Sequence, residues 1–253
     1  MKKVNEKEMY NYFMEVIKNP IGVCALMGNL QCESALYSDN LQNVFNKKTG
    51  LSDEEYTSLV DTGEYNKNKF IHDGYGYGLA QWTFYSRKEN LYNYAKEKGC
   101  SISDYKMQMD FIILELNYYR CNGMNFISYL KQTTDINKAT VDIMKIYEAP
   151  YDISNEAQNA RKYASKLFYE KLVLLKKKEE IKNYTHYIQF GAFISKDNAE
   201  NYKNLLKDKY GIDISIKYIK PWHKVIVTGF NGYGNARKFI EEHKLQDCII
   251  KEL

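Results

Sequence analysis

A change of hydrophobic period at one charged run constrains this chain more than any other feature. Before it, apolar residues recur at helical spacing, as with Met9, Phe13, Val16 and Ile17 in the first such stretch. After the run Lys176-Lys177-Lys178-Glu179-Glu180-Ile181-Lys182-Asn183, strand-type residues fill Tyr184–Phe190 and Val225–Thr228, and Ile212–Ile219 alternates apolar and polar. At 253 residues the chain also exceeds the roughly 100–200 usual for one domain. The pattern predicts an α+β protein of two units: a mainly helical domain over 1–175, a charged linker over 176–183, and a smaller domain over 184–253. In the last, helical stretches at 196–209 and 233–243 fall between strands, and Cys248–Leu253 closes a βαββαβ order, which suits an antiparallel sheet with two helices on one face.

Within the first unit, Asn19-Pro20 is a start signal, an Asn cap followed by Pro where a missing N–H costs nothing. A helix is expected from Pro20 to Glu33 or Ser34. Residues 38–75 are rich in Asp, Asn, Gly, Thr and Ser and read as irregular, apart from Ser52–Val60, which opens on the capping box Ser52-Asp53-Glu54-Glu55. Helical patterns return over 84–98, 104–120, 122–131, 136–147 and 154–175, with breaks at Gly99 and Pro150.

Charge and cysteine content exclude several classes. The net charge is +4, and 184–253 hold 11 Lys and Arg against 8 Asp and Glu, too mild an excess for a nucleic-acid surface. It suits an anionic wall polymer weakly. Five scattered cysteines lack metal spacing, and His72 beside Asp73 has no third ligand, so no metal and no cofactor are expected. The basic start Met1-Lys2-Lys3 has no apolar run behind it, and no stretch approaches the ~18 apolar residues of a membrane span, so neither a signal peptide nor an integral membrane segment is expected. The 24 Tyr against 2 Trp fit either coding bias or rings for stacking on sugars.

On the second helix Leu26, Leu30 and Glu33 share one face, aligning a carboxyl with apolar side chains in the last turn. Burial and the negative end of the helix dipole both disfavour its ionised form, as a general acid requires. On spacing alone, Glu33 reads first as a polar residue ending an amphipathic helix. Some forty residues on comes Gly76-Tyr77-Gly78-Leu79-Ala80-Gln81-Trp82, whose glycines permit close backbone approach and whose Gln81 and Trp82 offer a hydrogen bond and a ring to a sugar.

Met27-Gly28-Asn29-Leu30-Gln31-Cys32-Glu33-Ser34 followed by Gly76 through Thr83 resembles the phage tail-lysozyme group of the lysozyme and goose-type lysozyme superfamily, over roughly residues 6–150. The resemblance implies that Glu33 is the acid and that the segment Gly76–Gln81, with Tyr77 and Gln81, lines the cleft beside it; Trp82 joins them as a candidate on its ring alone. For a second carboxylate Asp73 comes first and Asp39 second, though each also reads as a turn-capping Asp. Without such a base the chemistry becomes that of a lytic transglycosylase, in which the substrate's own hydroxyl closes on the anomeric carbon. Tyr147-Glu148-Ala149-Pro150 resembles a late aromatic-Glu-x-Pro segment of the same group, which makes Tyr147 a substrate contact or, equally, part of a helix end stopped by Pro150.

In the second unit, Tyr187-Ile188-Gln189-Phe190-Gly191-Ala192-Phe193 and Trp222-His223-Lys224-Val225-Ile226-Val227-Thr228-Gly229-Phe230 each run as a strand into Gly and an aromatic residue. This pair resembles the SPOR domain, of RNP-like fold, which implies binding of peptidoglycan glycan strands stripped of stem peptides. Period 2 puts Tyr187, Gln189 and Gly191 on one face and Ile188 and Phe190 on the other; Trp222 and His223 are possible additions to the first. The chain is therefore expected to be an endolysin, held in the host cytoplasm and released by a holin, whose substrate is peptidoglycan. An N-acetylmuramidase is the first reading, with a lytic transglycosylase or N-acetylglucosaminidase on the same Glu33 as alternatives. A non-catalytic wall-binding phage or spore protein is the reading from another class.

Overall fold

A computed structural model of the chain describes residues 3–175 and 184–253; the charged run 176–183, assigned above as the linker, lies outside the described residues. The chain divides into two compact units, Met1–Leu174 and Leu175–Leu253.

The first unit is organised around one helix. α1 (Glu6–Ile17) leads into α2 (Pro20–Ser34), which starts where Asn19 and Pro20 predict, with the Asn19 side chain capping the Ile21 N–H. Every residue from Gly22 to Leu30 is buried. A helix apolar on all sides must be surrounded, and α2 is packed by α1 and by α8 (Phe126–Gln132), α9 (Ile136–Ile143) and α10 (Asn155–Tyr169). At Gly28 the approach to α10 is tight: a Cβ would stand 2.0 Å from the Ser165 hydroxyl, so only glycine admits this spacing. Buried polar contacts fix the register: Asn29 donates to the Ala25 and Thr140 carbonyls, and the Thr140 hydroxyl donates to Ser165.

Between α2 and α8 lie α3 (Asn43–Thr49), α4 (Asp53–Thr62), α5 (Lys67–His72), α6 (Tyr85–Lys98), α7 (Tyr105–Tyr118) and a two-residue hairpin, β1 (Arg120–Cys121) with β2 (Met124–Asn125). The capping box forms as spelled, Ser52 with Glu55. Two expectations change. Short helices α3 and α5 occupy part of the segment read as irregular. The helix expected from residue 122 begins instead at Phe126, because Asn122-Gly123 takes left-handed backbone at both positions (φ 51° and 80°) and turns the chain into the hairpin, as Asn-Gly pairs do. After α9 the helix widens into a π-turn, Met144–Glu148, ended by left-handed Ala149 (φ 47°). A second π-turn, Glu170–Leu174, follows α10.

The second unit contains β3 (His186–Phe193), α11 (Lys196–Tyr210), β4 (Ser215–Ile219), β5 (Trp222–Phe230), α12 (Tyr233–Glu242) and β6 (Ile249–Glu252), the βαββαβ order read from the sequence. Its antiparallel sheet has strand order β4-β5-β3-β6. Ile188, Phe190, Val225 and Val227 pack with Ala199, Leu206 and Ala236 of the two helices, so one sheet face carries the core.

Candidate active site

Glu33 stands in the last turn of α2, and its Oε1 accepts a hydrogen bond from Arg161 Nη2 of α10 at 2.5 Å, with both side chains largely buried. Arg161 lies one turn before Ser165, so the helix contact at Gly28 also aims this guanidinium at Glu33. The sequence predicts an apolar neighbourhood for Glu33; the fold adds a cationic partner from 128 residues away.

Glu33 opens into a cleft of about 1070 Å³, whose walls include Gln81, Arg87, Tyr85, Glu148 and Tyr151. Such a volume is at the upper end of single-ligand sites, about 300–1,000 Å³, and fits an oligomeric substrate. One rim is aromatic. His72 stacks on Tyr85 at 6.0 Å between ring centroids, Tyr85 meets Phe84 at 4.7 Å, and Phe84, Tyr85 and Tyr151 are exposed. Rings held this way present flat apolar faces with little entropy left to lose.

The glycine motif forms a loop closed by paired backbone hydrogen bonds between Tyr77 and Trp82. Gly78 has φ 75°, and a Cβ there would lie 2.8 Å from the Gln108 amide, whose Oε1 accepts the Leu79 N–H. Gln81, itself left-handed (φ 45°), is tied through Nε2 to the Asn40 and Gly78 carbonyls and lines the cleft. Tyr77 and Trp82 point the other way. Both are fully buried and neither lines the cleft: Tyr77 shares a 2.6 Å hydrogen bond with the Thr57 hydroxyl, and Trp82 Nε1 donates to Glu115 at 2.8 Å.

Glu115 of α7 is a hub that sequence reasoning missed. Besides Trp82 it accepts from Arg87 through Nε (2.8 Å) and Nη2 (2.7 Å) and from the Tyr147 hydroxyl (2.8 Å). Tyr147 is thus held beneath the cleft wall, 1% exposed, with Arg87 over its ring and Tyr119 edge-on, and its hydroxyl is committed to protein. The next residue, Glu148, ends the π-turn and borders the cleft. Its Oε1 is shielded from solvent and has no hydrogen-bond partner. Burial, then the negative charges of Glu33 and Glu115, push the Glu148 carboxyl well above the ordinary carboxylate range, against the pull of Arg87 and Arg161.

Asp73 is also placed away from the cleft, unlike its neighbours His72 and Gly74. It pairs at 2.5 Å with Lys88, which is completely buried, and accepts from the Tyr56 hydroxyl (2.6 Å) and the Tyr75 N–H (3.0 Å). Burial pulls the Lys88 ammonium below its usual value while Asp73 opposes that shift. Asp39 is buried and does not line the cleft either. The structure therefore brings Glu33 and Gln81 to one cleft, sets Tyr147 in its floor, and leaves Asp73, Tyr77 and Trp82 outside it. Arg161, Arg87 and Glu115 carry no local signal in the sequence, whereas Glu148 lies within the Tyr147-Glu148-Ala149-Pro150 motif.

In the second unit Tyr187 and Gln189 pair with Thr228 and Ile226 on the sheet face opposite the helices. Alternation places Trp222, 42% exposed, on that same face of β5, with Lys224, Ile226 and Thr228. Lys224 Nζ reaches the Tyr187 hydroxyl at 3.4 Å, Tyr187 is itself mostly buried, and Gln189 Oε1 is sealed without a partner. His223 falls on the other face. No group of three potential metal ligands occurs among the described residues, and among them no helix is long and apolar enough to cross a membrane.

A helical unit with two glutamates on one cleft, followed by a βαββαβ unit, defines a lysozyme-like domain joined to an RNP-like module. The family model for phage tail lysozyme matches residues 4–172, and the SPOR domain model matches residues 182–251. The chain belongs to the phage tail lysozyme family and carries a SPOR domain after it. It combines a peptidoglycan-lytic domain with a peptidoglycan-binding one.

Proposed function

We propose that the enzyme cuts the β-1,4 bond between N-acetylmuramic acid and N-acetylglucosamine in peptidoglycan glycan strands, with Glu33 as the acid that protonates the bridging oxygen. The observation that carries this reading is the position of Glu33, at a helix end opening into a cleft with an aromatic rim. Phe84, Tyr85 and Tyr151 would stack on sugar faces, and Gln81 would orient an acetamido or hydroxyl group.

The product is a second question. Inverting hydrolysis needs a separate carboxylate to activate water, roughly 6.5–9.5 Å from the acid. Asp73 was the expected base, yet Lys88, Tyr56 and Tyr75 occupy its oxygens. Among the described cleft residues Glu33 and Glu148 are the only carboxyls, and burial holds Glu148 toward its neutral, non-basic form. This favours a transglycosylase reading alongside the muramidase one: the muramoyl 6-hydroxyl attacks C1 and returns its proton to Glu33.

The SPOR domain would hold glycan on the open sheet face through Tyr187, Gln189 and Trp222. Membership of a phage family supports an endolysin role, in which a holin releases the enzyme from the host cytoplasm; lysis of an expressing host without a holin would refute that route. For the chemistry, purified sacculi are digested with wild type and with Glu33→Gln, and the new chain ends are read by mass spectrometry. Reducing muramic acid ends indicate a muramidase, anhydro ends a transglycosylase and reducing glucosamine ends a glucosaminidase. An active Glu33→Gln would remove Glu33 from its role, and sacculi left intact by wild type would leave only wall binding.

A further inference from the structure

An acid must carry a proton, yet Glu33 rests 2.5 Å from a guanidinium, a partner suited to the ionised carboxylate. The second glutamate of the cleft has the opposite surroundings. Four charged groups act on Glu148: Glu33 from α2, Arg87 from α6, Glu115 from α7 and Arg161 from α10. They are already matched in pairs, Arg87 with Glu115 and Arg161 with Glu33, so their influences on Glu148 largely cancel. Burial then decides. A shielded carboxyl oxygen with no donor in reach is costly when charged and far less so when neutral.

The backbone explains why the side chain stays there. The π-turn inserts a residue into the helix that ends at Glu148, and such insertions recur at functional sites. The preceding residue, Tyr147, is anchored by Glu115 and Arg87. Glu148 is thus delivered to the cleft wall by a rigid segment, with no hydrogen-bonding reward for one of its oxygens.

We propose that Glu33 and Glu148 hold a single proton between them, and that Glu148 is the positioning residue that keeps this proton in the cleft for Glu33 to deliver. The inference rests on the reading of Glu33 as the acid. In each turnover Glu33 gives the proton to the bridging oxygen as the C1–O bond breaks, and the departing sugar leaves with a hydroxyl. The attacking muramoyl 6-hydroxyl bonds to C1 and releases its proton to the Glu33 carboxylate. The pair ends with the one proton it began with.

The test compares the pH dependence of kcat/KM on solubilised glycan for the full chain and for Glu148→Gln. Coupled carboxyls titrate as a pair, with apparent ionisations separated by more than about one pH unit. Loss of Glu148 should therefore move the alkaline limb to lower pH by about one unit, beyond any fall in maximum rate. A limb that stays in place while only the rate drops would overturn the proposal and leave Glu148 a structural role. Should Glu148→Gln fail to fold, a carboxyl titration by carbon NMR on wild type and Glu33→Gln decides: the late-titrating carboxyl must lose its proton at lower pH in the variant, and superposed curves would overturn the proposal. Full activity of Glu33→Gln would instead defeat the underlying reading, a distinct result.

Discussion

Glu115 binds the Tyr147 hydroxyl, Glu148 follows Tyr147 in the chain, and the Arg87 charge acts on both, yet their surroundings differ in one respect. Glu115 accepts four hydrogen bonds, from Trp82, Tyr147 and twice from Arg87. Glu148 has an oxygen with none. Asp73 belongs with Glu115, since Lys88, Tyr56 and Tyr75 satisfy it. A saturated carboxylate is stabilised as an anion and works as scaffold, whereas one left short of donors stays ready to hold or exchange a proton. Carboxyls of similar chemistry are thus set apart by the donors around them.

The comparison breaks most visibly at Asp73. Asp73→Asn leaves the Lys88 ammonium buried without its counter-charge, and the catalytic domain should lose about 4 kcal/mol in denaturant unfolding, with the bond cut and the pH profile unchanged. A folded Asp73→Asn that binds sacculi and cuts nothing would instead return Asp73 to the role of base. Glu115→Gln keeps shape but loses charge against Arg87; a loss of about 3 kcal/mol is expected, read as a Tm lower by roughly 6–12 °C for a domain of this size. If its Tm is unchanged, the hub is not scaffold. At the rim, Phe84→Ala and Tyr85→Ala should each raise KM about three- to tenfold with kcat retained, since stacking is lost and the carboxyls are untouched. A fall in kcat alone would sink the stacking role.

The smallest effect concerns stability against pH. The folded state holds the Glu148 carboxyl above its unfolded value, so between those two values the unfolded chain binds fewer protons and stability falls as pH rises. Glu148→Gln lacks this loss, and its Tm relative to wild type should climb from acid to neutral pH. A constant difference would mean that Glu148 does not cost the fold its charge.

Much of the fold was legible. Asn19-Pro20 starts α2, Ser52 and Glu55 cap α4, and the shift to period 2 lays out the βαββαβ order, because each signal acts over a few residues of chain. The Asn122-Gly123 hairpin was written in the same local code but lost inside a helical pattern. In the site, Glu33 and Gln81 were legible from their motifs and reach one cleft. Tyr77 and Trp82 were read as substrate contacts because an aromatic residue in a glycine loop looks the same in sequence whether it faces solvent or core.

The sequence by itself determined the helices, the strands, the two-part division and the cleft's signature motifs, since propensity, capping and periodicity are properties of neighbours along the chain. Only the tertiary structure decided which groups surround each carboxyl. The partner of Glu33 lies 128 residues away, those of Glu115 lie 28 to 33 residues away, and the partner of Asp73 is the one fully buried lysine among the described residues. Whether a carboxyl is neutral or charged depends on what surrounds it through space, and that is fixed when the helices pack.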